Sequence, residues 1–211
     1  MQTLKNLSPE DIKNYLSKHQ MELSKDLEEG KEINHILSKR AELFDLLLQL
    51  LWRDSMLAIS DLALFAVGGY GRKELLPSSD IDILIYGSEE ELTTHKNKIK
   101  TFLTRIWDFG VPVGHAVRTQ IECQQLAQND ISVATSLIEC RPIIAKHVQH
   151  ESIVSIAFCN NLYSSYDFFH KKIEEQRIRH VRFDHADNHL EPDIKLAPGG
   201  LRDFHTIIWI Y

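Results

Sequence analysis

A glycine-rich segment that leads into two aspartates holds the residues best suited to chemistry. It begins at Gly68 and reads GGYGRKELLPSSDID. Glycines let a backbone approach a ligand closely, and amides exposed in such a turn suit phosphate. Asp80 and Asp82 are two residues apart, so on a strand both carboxylates point to one face. Paired acids of this kind suit Mg²⁺ or Mn²⁺ held jointly with substrate phosphates, which predicts metal-assisted transfer of a nucleotidyl group.

The conjunction of the two motifs carries this prediction, because either alone is weak. A bare GGxG is usually a structural turn, and a bare DxD is usually a solvated strand end. Gly68, Gly69 and Gly71 supply the predicted phosphate turn, and Arg72 could add a bidentate cation. Neither GxGxxG after the first strand nor GxxxxGK[ST] occurs, which separates the segment from other nucleotide-binding loops.

The elements that must position these residues follow from the apolar pattern. Buried strands are expected at 62–67, 81–86 and 113–118, and the motif lies between the first two. A helix should start at Ser8-Pro9, and a leucine-striped helix should run over about 33–59. Further helices are expected at about 89–106, 121–128, 130–139, 147–160 and 166–186. The pattern predicts an α+β fold with a small mixed sheet.

Three regions are expected along the chain: an N-terminal helical lead (1–60), a catalytic domain (61–146) and a helical subdomain (147–211). The last helix ends on Trp209-Ile210-Tyr211 without a cap, which predicts that the sequence is a fragment of a longer protein.

Composition limits the classes of partner and the compartment. The 211 residues carry a net charge of −6 with 43% hydrophobic residues, which is typical of a globular protein. This mild acidity argues against nucleic-acid and membrane-surface partners. Three scattered cysteines and a polar N-terminus predict a cytoplasmic protein.

The extended motif GGYGRKELLPSSDIDILI resembles the bacterial PII uridylyltransferase/uridylyl-removing enzymes, within the DNA polymerase β superfamily of nucleotidyltransferases. The likeness extends to VGHAVRT, SVATSLIECRPI, KKIEEQRIRH and LEPDIKLAPGGLRDFHTIIW, and covers roughly residues 60–211. It implies a polymerase β-like nucleotidyltransferase fold and transfer of UMP from UTP to a tyrosine of the PII nitrogen-regulatory protein, with release of pyrophosphate. By the same resemblance, Asp80 and Asp82 are catalytic carboxylates and metal ligands, and Gly68, Gly69 and Ser79 cradle phosphate.

Two departures from the family leave alternatives open. The superfamily usually takes a third carboxylate from a later strand, but the candidate strand at 113–118 contains no acid. His115 lies at its centre, where a neutral imidazole could ligate metal or accept a proton, and a structural role is about as plausible. Other acids that folding could bring in are Glu122, Asp130, Glu139 and Asp203. The hydrolase domain of the HD type and the glutamine-sensing domains are not in this sequence, so neither activity is expected from it. An adenylyl-transferring relative, or a catalytically incomplete module that binds nucleotide or PII, remains an alternative.

Two charged clusters and the tryptophans complete the expectations. A basic stretch is interpreted as a solvated helix face, with contact to triphosphate or to an acidic partner as the alternative; it comprises Lys171, Lys172, Arg177, Arg179, His180 and Arg182. Charges flanking the Pro-Gly-Gly turn are expected either to line the cleft or to form a structural ion-pair network; they are Glu191, Asp193, Lys195 and Arg202. The tryptophans are expected in the core: Trp52, Trp107 and Trp209.

Overall fold

The computed structural model describes residues 8–157, 162–184 and 193–210. In these ranges the chain forms four strands and ten helices. The strands are β1 (Ala63–Ala66), β2 (Ile81–Tyr86), β3 (Val113–Arg118) and β4 (Arg141–Ile144). The helices are α1 (Pro9–Glu28), α2 (Ile33–Asp54), α3 (Gly68–Gly71), α4 (Glu89–Thr94), α5 (Lys96–Trp107), α6 (Gln120–Asn129), α7 (Ile131–Ile138), α8 (His147–Ala157), α9 (Ser165–Asp184) and α10 (Leu201–Ile210).

The four strands form one mixed sheet in the order β3-β2-β1-β4. Strand β1 is antiparallel to both β2 and β4, whereas β2 and β3 are parallel. The predicted α+β class with a small mixed sheet is therefore confirmed. Sequence reasoning missed β4, whose Pro142 is compatible only with an edge position.

Strand alternation gives the sheet two apolar faces. Ile81, Ile83 and Ile85 point to a core that includes residues of α2 and α5, such as Trp52 and Phe102. The alternate residues Leu84 and Tyr86 belong to a second core with side chains from α6, α7 and α8. Asp82 lies on this second face, where it takes the place of an apolar residue at the start of β2.

The predicted start of the first helix is confirmed, whereas the predicted end of the second helix is wrong. Ser8 caps α1 in a reciprocal capping box with Asp11, as its position before Pro9 suggests. Helix α2 ends at Asp54 and not near Ile59, because Met56 adopts a φ of +58° that no helix accommodates.

Only one tryptophan, Trp52, lies fully in the core. Trp107 is 60% exposed, so the expectation that it is buried was wrong. Trp209 is partly buried, and its ring nitrogen donates a hydrogen bond to Glu139 Oε1. Within the described ranges, no helix is long and apolar enough to cross a bilayer.

Candidate active site

The glycine segment follows β1 directly and forms the short helix α3. Gly68 has a φ of +60°, a conformation that glycine adopts without strain. The Val67 amide donates to the Asp82 carbonyl at 3.0 Å, which ties the start of the turn to β2. The glycines therefore lie beside the strand that carries the second aspartate.

The Asp82 carboxylate lies between two glycines from different parts of the chain. A Cβ on Gly68 would be 3.5 Å from Asp82 Oδ2. A Cβ on Gly114, the direct partner of Asp82 in the parallel β2–β3 pair, would overlap Asp82 Oδ1. The carboxylate thus occupies the space that a side chain at Gly114 would need and lies in van der Waals contact with the position of a Cβ at Gly68.

Burial raises the pKa of the Asp82 carboxyl above its usual value, and the charge of Asp80 raises it further. Lys195, in the turn before α10, acts in the opposite direction and lowers this pKa. Asp80 is exposed and immediately precedes β2. Asp80 and Lys195 are therefore both near enough to Asp82 for their charges to influence its ionisation.

These two carboxylates are a suitable site for a hard divalent cation. Their oxygens are ligands that Mg²⁺ and Mn²⁺ prefer, and their mutual repulsion is relieved by a cation. Among the described residues, no cluster of three or more His, Cys, Asp or Glu side chains could hold a metal ion. Mg²⁺ in such sites retains water and substrate phosphates as its other ligands, so two carboxylates fit the pattern.

A cleft opens in front of Asp82. Its cavity of about 380 Å³ is lined by Gly68, Asp82, Gly114 and His115, together with Ser132 and Ser136 of α7. A larger cavity of about 900 Å³, between the start of α7 and α9, shares Ser132 with the cleft. The two spaces adjoin, which leaves room for substrate beyond the carboxylates.

A buried hydrogen-bond network supports the glycine segment from behind. The Tyr70 hydroxyl donates to Asp45 Oδ1 at 2.6 Å. Arg141 donates to both oxygens of Asp45, at 2.8 and 3.0 Å, and to the carbonyl of Gly71 at 3.2 Å. Burial and the Asp45 charge raise the pKa of Tyr70, which keeps its hydroxyl protonated as a donor. The network joins α2, α3 and β4, and no local pattern in the sequence signals it.

The remaining candidate residues of the motif differ in their surroundings. Gly69 has space, because a Cβ there would lie 3.6 Å from the Glu74 carbonyl. Gly71 is packed against backbone, where a Cβ would overlap the Glu139 carbonyl, and its amide donates to Val67. Ser79 is half-buried, and its amide donates to the Leu76 carbonyl. The described environment of Gly71 is thus one of tight internal packing.

Arg72 does not extend into the cleft as a free cation. Its Nε donates to Glu74 Oε2 at 2.8 Å, and its Nη1 donates to Glu139 Oε1. Its Nη2 lies 3.8 Å from the position of a Cβ on Gly69. Two carboxylates therefore hold the guanidinium beside the glycine turn, and the phosphate contact that the sequence suggested for it stays a prediction.

Gly71→Ala should destabilise the fold by about 1–3 kcal/mol, because the new methyl group meets rigid backbone. Gly69→Ala is the matched control: it lies in the same helix and has room for the methyl group, so its free energy of unfolding should change little. Urea unfolding of the two variants measures the difference. Equal stabilities would contradict the packing described for Gly71.

The four acids considered as a third carboxylate all have other partners. Glu122 forms a capping box with Thr119, and Asp130 accepts from the Ser132 amide at the start of α7. Glu139 accepts from Arg72 and Trp209, and Asp203 accepts from Arg179. These contacts give each acid a role in capping or pairing.

His115 lies on the other face of the strand pair from Asp82. It is exposed and pairs with Ile83 in the β2–β3 register, so its side chain points to the face opposite Asp82. The residues of β3 that share the face of Asp82 are Gly114, Ala116 and Arg118. His115 nevertheless lines the same cleft as Asp82, so a role for its imidazole there stays a prediction.

The basic stretch on α9 is less solvated than expected. Lys172 is only 1% exposed and pairs with Glu175 at 3.0 Å, and Arg179 pairs with Glu175 and Asp203. Three members, Lys171, Arg177 and Arg182, are exposed, and Arg177 pairs with Glu174. Glu191 lies outside the described residues.

The chain belongs to the nucleotidyltransferase family, since the model of the nucleotidyltransferase domain matches residues 49–180. The model of the GlnD PII-uridylyltransferases matches residues 167–211, which begin within α9 and include α10. The resemblance to PII uridylyltransferases noted from the motifs is thereby confirmed.

Curated relatives extend this similarity to most of the chain. Each of the following is a bifunctional uridylyltransferase/uridylyl-removing enzyme. The chain is 40% identical to the protein of Vibrio parahaemolyticus over 199 residues, 42% identical to that of Psychrobacter sp. over 203 residues, and 40% identical to that of Azotobacter vinelandii over 184 residues. These alignments cover 92, 94 and 87% of the chain. They span only 23, 22 and 20% of the relatives' length.

Proposed function

We propose that this chain transfers UMP from UTP to a tyrosine hydroxyl of a PII signal protein and releases pyrophosphate. The observation that carries the proposal is the placement of Asp82, between Gly68 and Gly114 and beside Asp80, at the mouth of a cleft. The similarity to uridylyltransferases over about nine-tenths of the chain supports UTP and PII as substrates.

The two carboxylates would hold Mg²⁺ or Mn²⁺. The ion would neutralise triphosphate charge and stabilise the pyrophosphate leaving group. The chain's own residues bind and orient: the glycine turn lets phosphate approach the backbone at Gly68 and Gly69, and Lys195 adds positive charge near Asp82. Positioning of this kind supplies much of the rate in phosphoryl-type transfer.

In the proposed reaction the tyrosine oxygen attacks the α-phosphorus in line with the leaving group. A bond forms between this oxygen and phosphorus, and the bond from phosphorus to the oxygen bridging to the β-phosphate breaks, which releases pyrophosphate. The hydroxyl proton passes to solvent. The larger cavity next to Ser132 offers space from which the acceptor segment can approach.

A second candidate, a catalytically incomplete module that binds nucleotide, is favoured by one observation. The four acids considered as a third carboxylate are engaged elsewhere, and His115 faces away. In that case nucleotide would bind at the same cleft without transfer.

Incubation of the chain with α-labelled UTP, Mg²⁺ and a PII protein tests the proposal. We expect label on the PII protein, and none when its acceptor tyrosine is replaced by phenylalanine. Parallel reactions with α-labelled ATP test for an adenylyl-transferring relative. Calorimetric titration of the chain with UTP and Mg²⁺ measures nucleotide binding independently of transfer.

The outcomes separate the candidates. Label from ATP but not from UTP would contradict the choice of nucleotide. Saturable UTP binding without label would support the incomplete module, and the absence of both label and binding would overturn the assignment of the cleft.

A further inference from the structure

Helix α10 contacts the catalytic motif through two carboxylates that Arg72 also uses. Trp209 Nε1 donates to Glu139 Oε1 at 2.7 Å, the oxygen that also accepts from Arg72 Nη1. His205 Nε2 lies 3.1 Å from Glu74 Oε2, the oxygen that also accepts from Arg72 Nε. Each carboxylate therefore joins one side chain of α10 to the same guanidinium.

This guanidinium is part of the frame of the glycine turn. The Arg72 amide donates to the Gly68 carbonyl at 3.1 Å, and Arg72 Nη2 lies beside Gly69. Glu139 directly follows α7, and its carbonyl packs against Gly71. A shift of α10 would therefore act on groups that touch the turn at three of its residues.

Helix α10 is itself held firmly by α9. The Lys172 ammonium lies 4.4 Å from the centroid of the Trp209 ring and is buried there. Asp203 accepts from Arg179 Nη2 at 2.7 Å and from the Gly199 amide at 2.7 Å. Because these contacts join α9, the 193–200 turn and α10, the position of Trp209 is set by the whole C-terminal region.

We propose that His205 and Trp209 are positioning residues for nucleotidyl transfer, which act on Arg72 through Glu74 and Glu139. The inference rests on the proposed function and adds to it a coupling between the C-terminal helices and the glycine turn. Neither residue lines the cleft in front of Asp82, and the hydrogen bonds to Glu74 and Glu139 connect both of them to Arg72.

Trp209→Phe tests the proposal, because it removes the N–H donor and keeps an aromatic ring beneath Lys172. We expect kcat for UMP transfer to fall about tenfold or more, since misplacement of binding groups is costly, while urea unfolding stays close to that of the wild type. His205→Ala should lower kcat similarly, and His205→Gln, which retains a donor for Glu74, should restore much of it. Trp107→Phe, at an exposed site far from α10, is the matched control.

A double-mutant cycle with Arg72→Gln separates positioning from general weakening of the fold. If Trp209 acts through Arg72, the loss caused by Trp209→Phe should largely vanish in the Arg72→Gln background. An equal loss in both backgrounds, or an unchanged kcat in Trp209→Phe, would overturn the proposal.

A wild-type chain that transfers no label contradicts the proposed function, and the coupling between α10 and the glycine turn is then tested on nucleotide binding alone. The same cycle is then run on the dissociation constant for UTP with Mg²⁺. A dissociation constant that does not respond to Trp209→Phe, or no measurable UTP binding by the wild type, would overturn the coupling.

Discussion

Asp82→Asn should abolish nucleotidyl transfer, with a loss of at least about a thousandfold in turnover with PII and UTP. The substitution keeps the shape of the side chain between Gly68 and Gly114 but removes the charge that holds the divalent cation. Loss of several kcal/mol of charge stabilisation in the transition state corresponds to three or more powers of ten. Asp80→Asn should cause a loss of similar size, measured in the same assay of labelled UMP on PII.

The same variant should be slightly more stable than the wild type in metal-free buffer at neutral pH. Burial and the Asp80 charge raise the pKa of Asp82 in the folded protein, so ionisation of this carboxyl disfavours folding. This penalty is absent at a pH below the usual aspartate pKa of about 4, and it grows as the pH rises above that pKa. Thermal unfolding at pH 4 and pH 8 should therefore show a gain for Asp82→Asn that appears only at the higher pH.

Substantial transfer by both asparagine variants would contradict the assignment of the metal site. A variant that is inactive and also less stable than the wild type at pH 8 would contradict the described electrostatics. Together the two measurements distinguish loss of function from loss of fold.

Much of the fold could be predicted because its signals are local. The apolar runs of β1 and β2 and the capping sequence at Ser8 depend only on neighbouring residues. Strand β4 was missed because four residues that include Pro142 carry almost no periodic signal. Its partner β1 is more than seventy residues away, and only the folded sheet reveals the pairing.

The candidate site also combines features that local sequence predicts with contacts between residues far apart in the sequence. The closeness of the glycine turn to the aspartates follows from a short connection between two adjacent strands, which the sequence displays. The environment of Arg72 could not be predicted in this way, because its partner Glu139 is 67 residues away. Glu139 also accepts a hydrogen bond from Trp209 of α10. The sequence shows that Arg72 lies next to the predicted phosphate turn. It does not show that Glu74 and Glu139 pair with the guanidinium.

Gly114 illustrates why register matters for a catalytic carboxylate. The sequence shows a strand at 113–118, but it does not show which residue of that strand faces Asp82. In the parallel pair the partner is Gly114, and the absence of its side chain makes room for Asp82 Oδ1. The residue of this strand that matters for the second acid is therefore a glycine, and no property of Gly114 in the sequence alone indicates this.

Gly114→Ala should reduce transfer by about a hundredfold and weaken metal binding while leaving the fold largely intact. The added methyl group would overlap Asp82 Oδ1, and the carboxylate must rotate away because the strand backbone cannot. Displacement of a catalytic group by about 1 Å costs about a hundredfold in rate. Turnover with PII and UTP and the apparent dissociation constant for Mn²⁺ measure the two effects, and urea unfolding monitors the fold.

Val117→Ala, on the same edge strand but on the opposite face, is the matched control and should leave transfer close to that of the wild type. The double variant of Gly114→Ala and Asp82→Asn should be no less active than Asp82→Asn alone, because the methyl group acts only through that carboxylate. Wild-type turnover and Mn²⁺ affinity in Gly114→Ala would show that Asp82 does not need the space beside residue 114. In that case the catalytic geometry inferred for the β2–β3 pair would be incorrect.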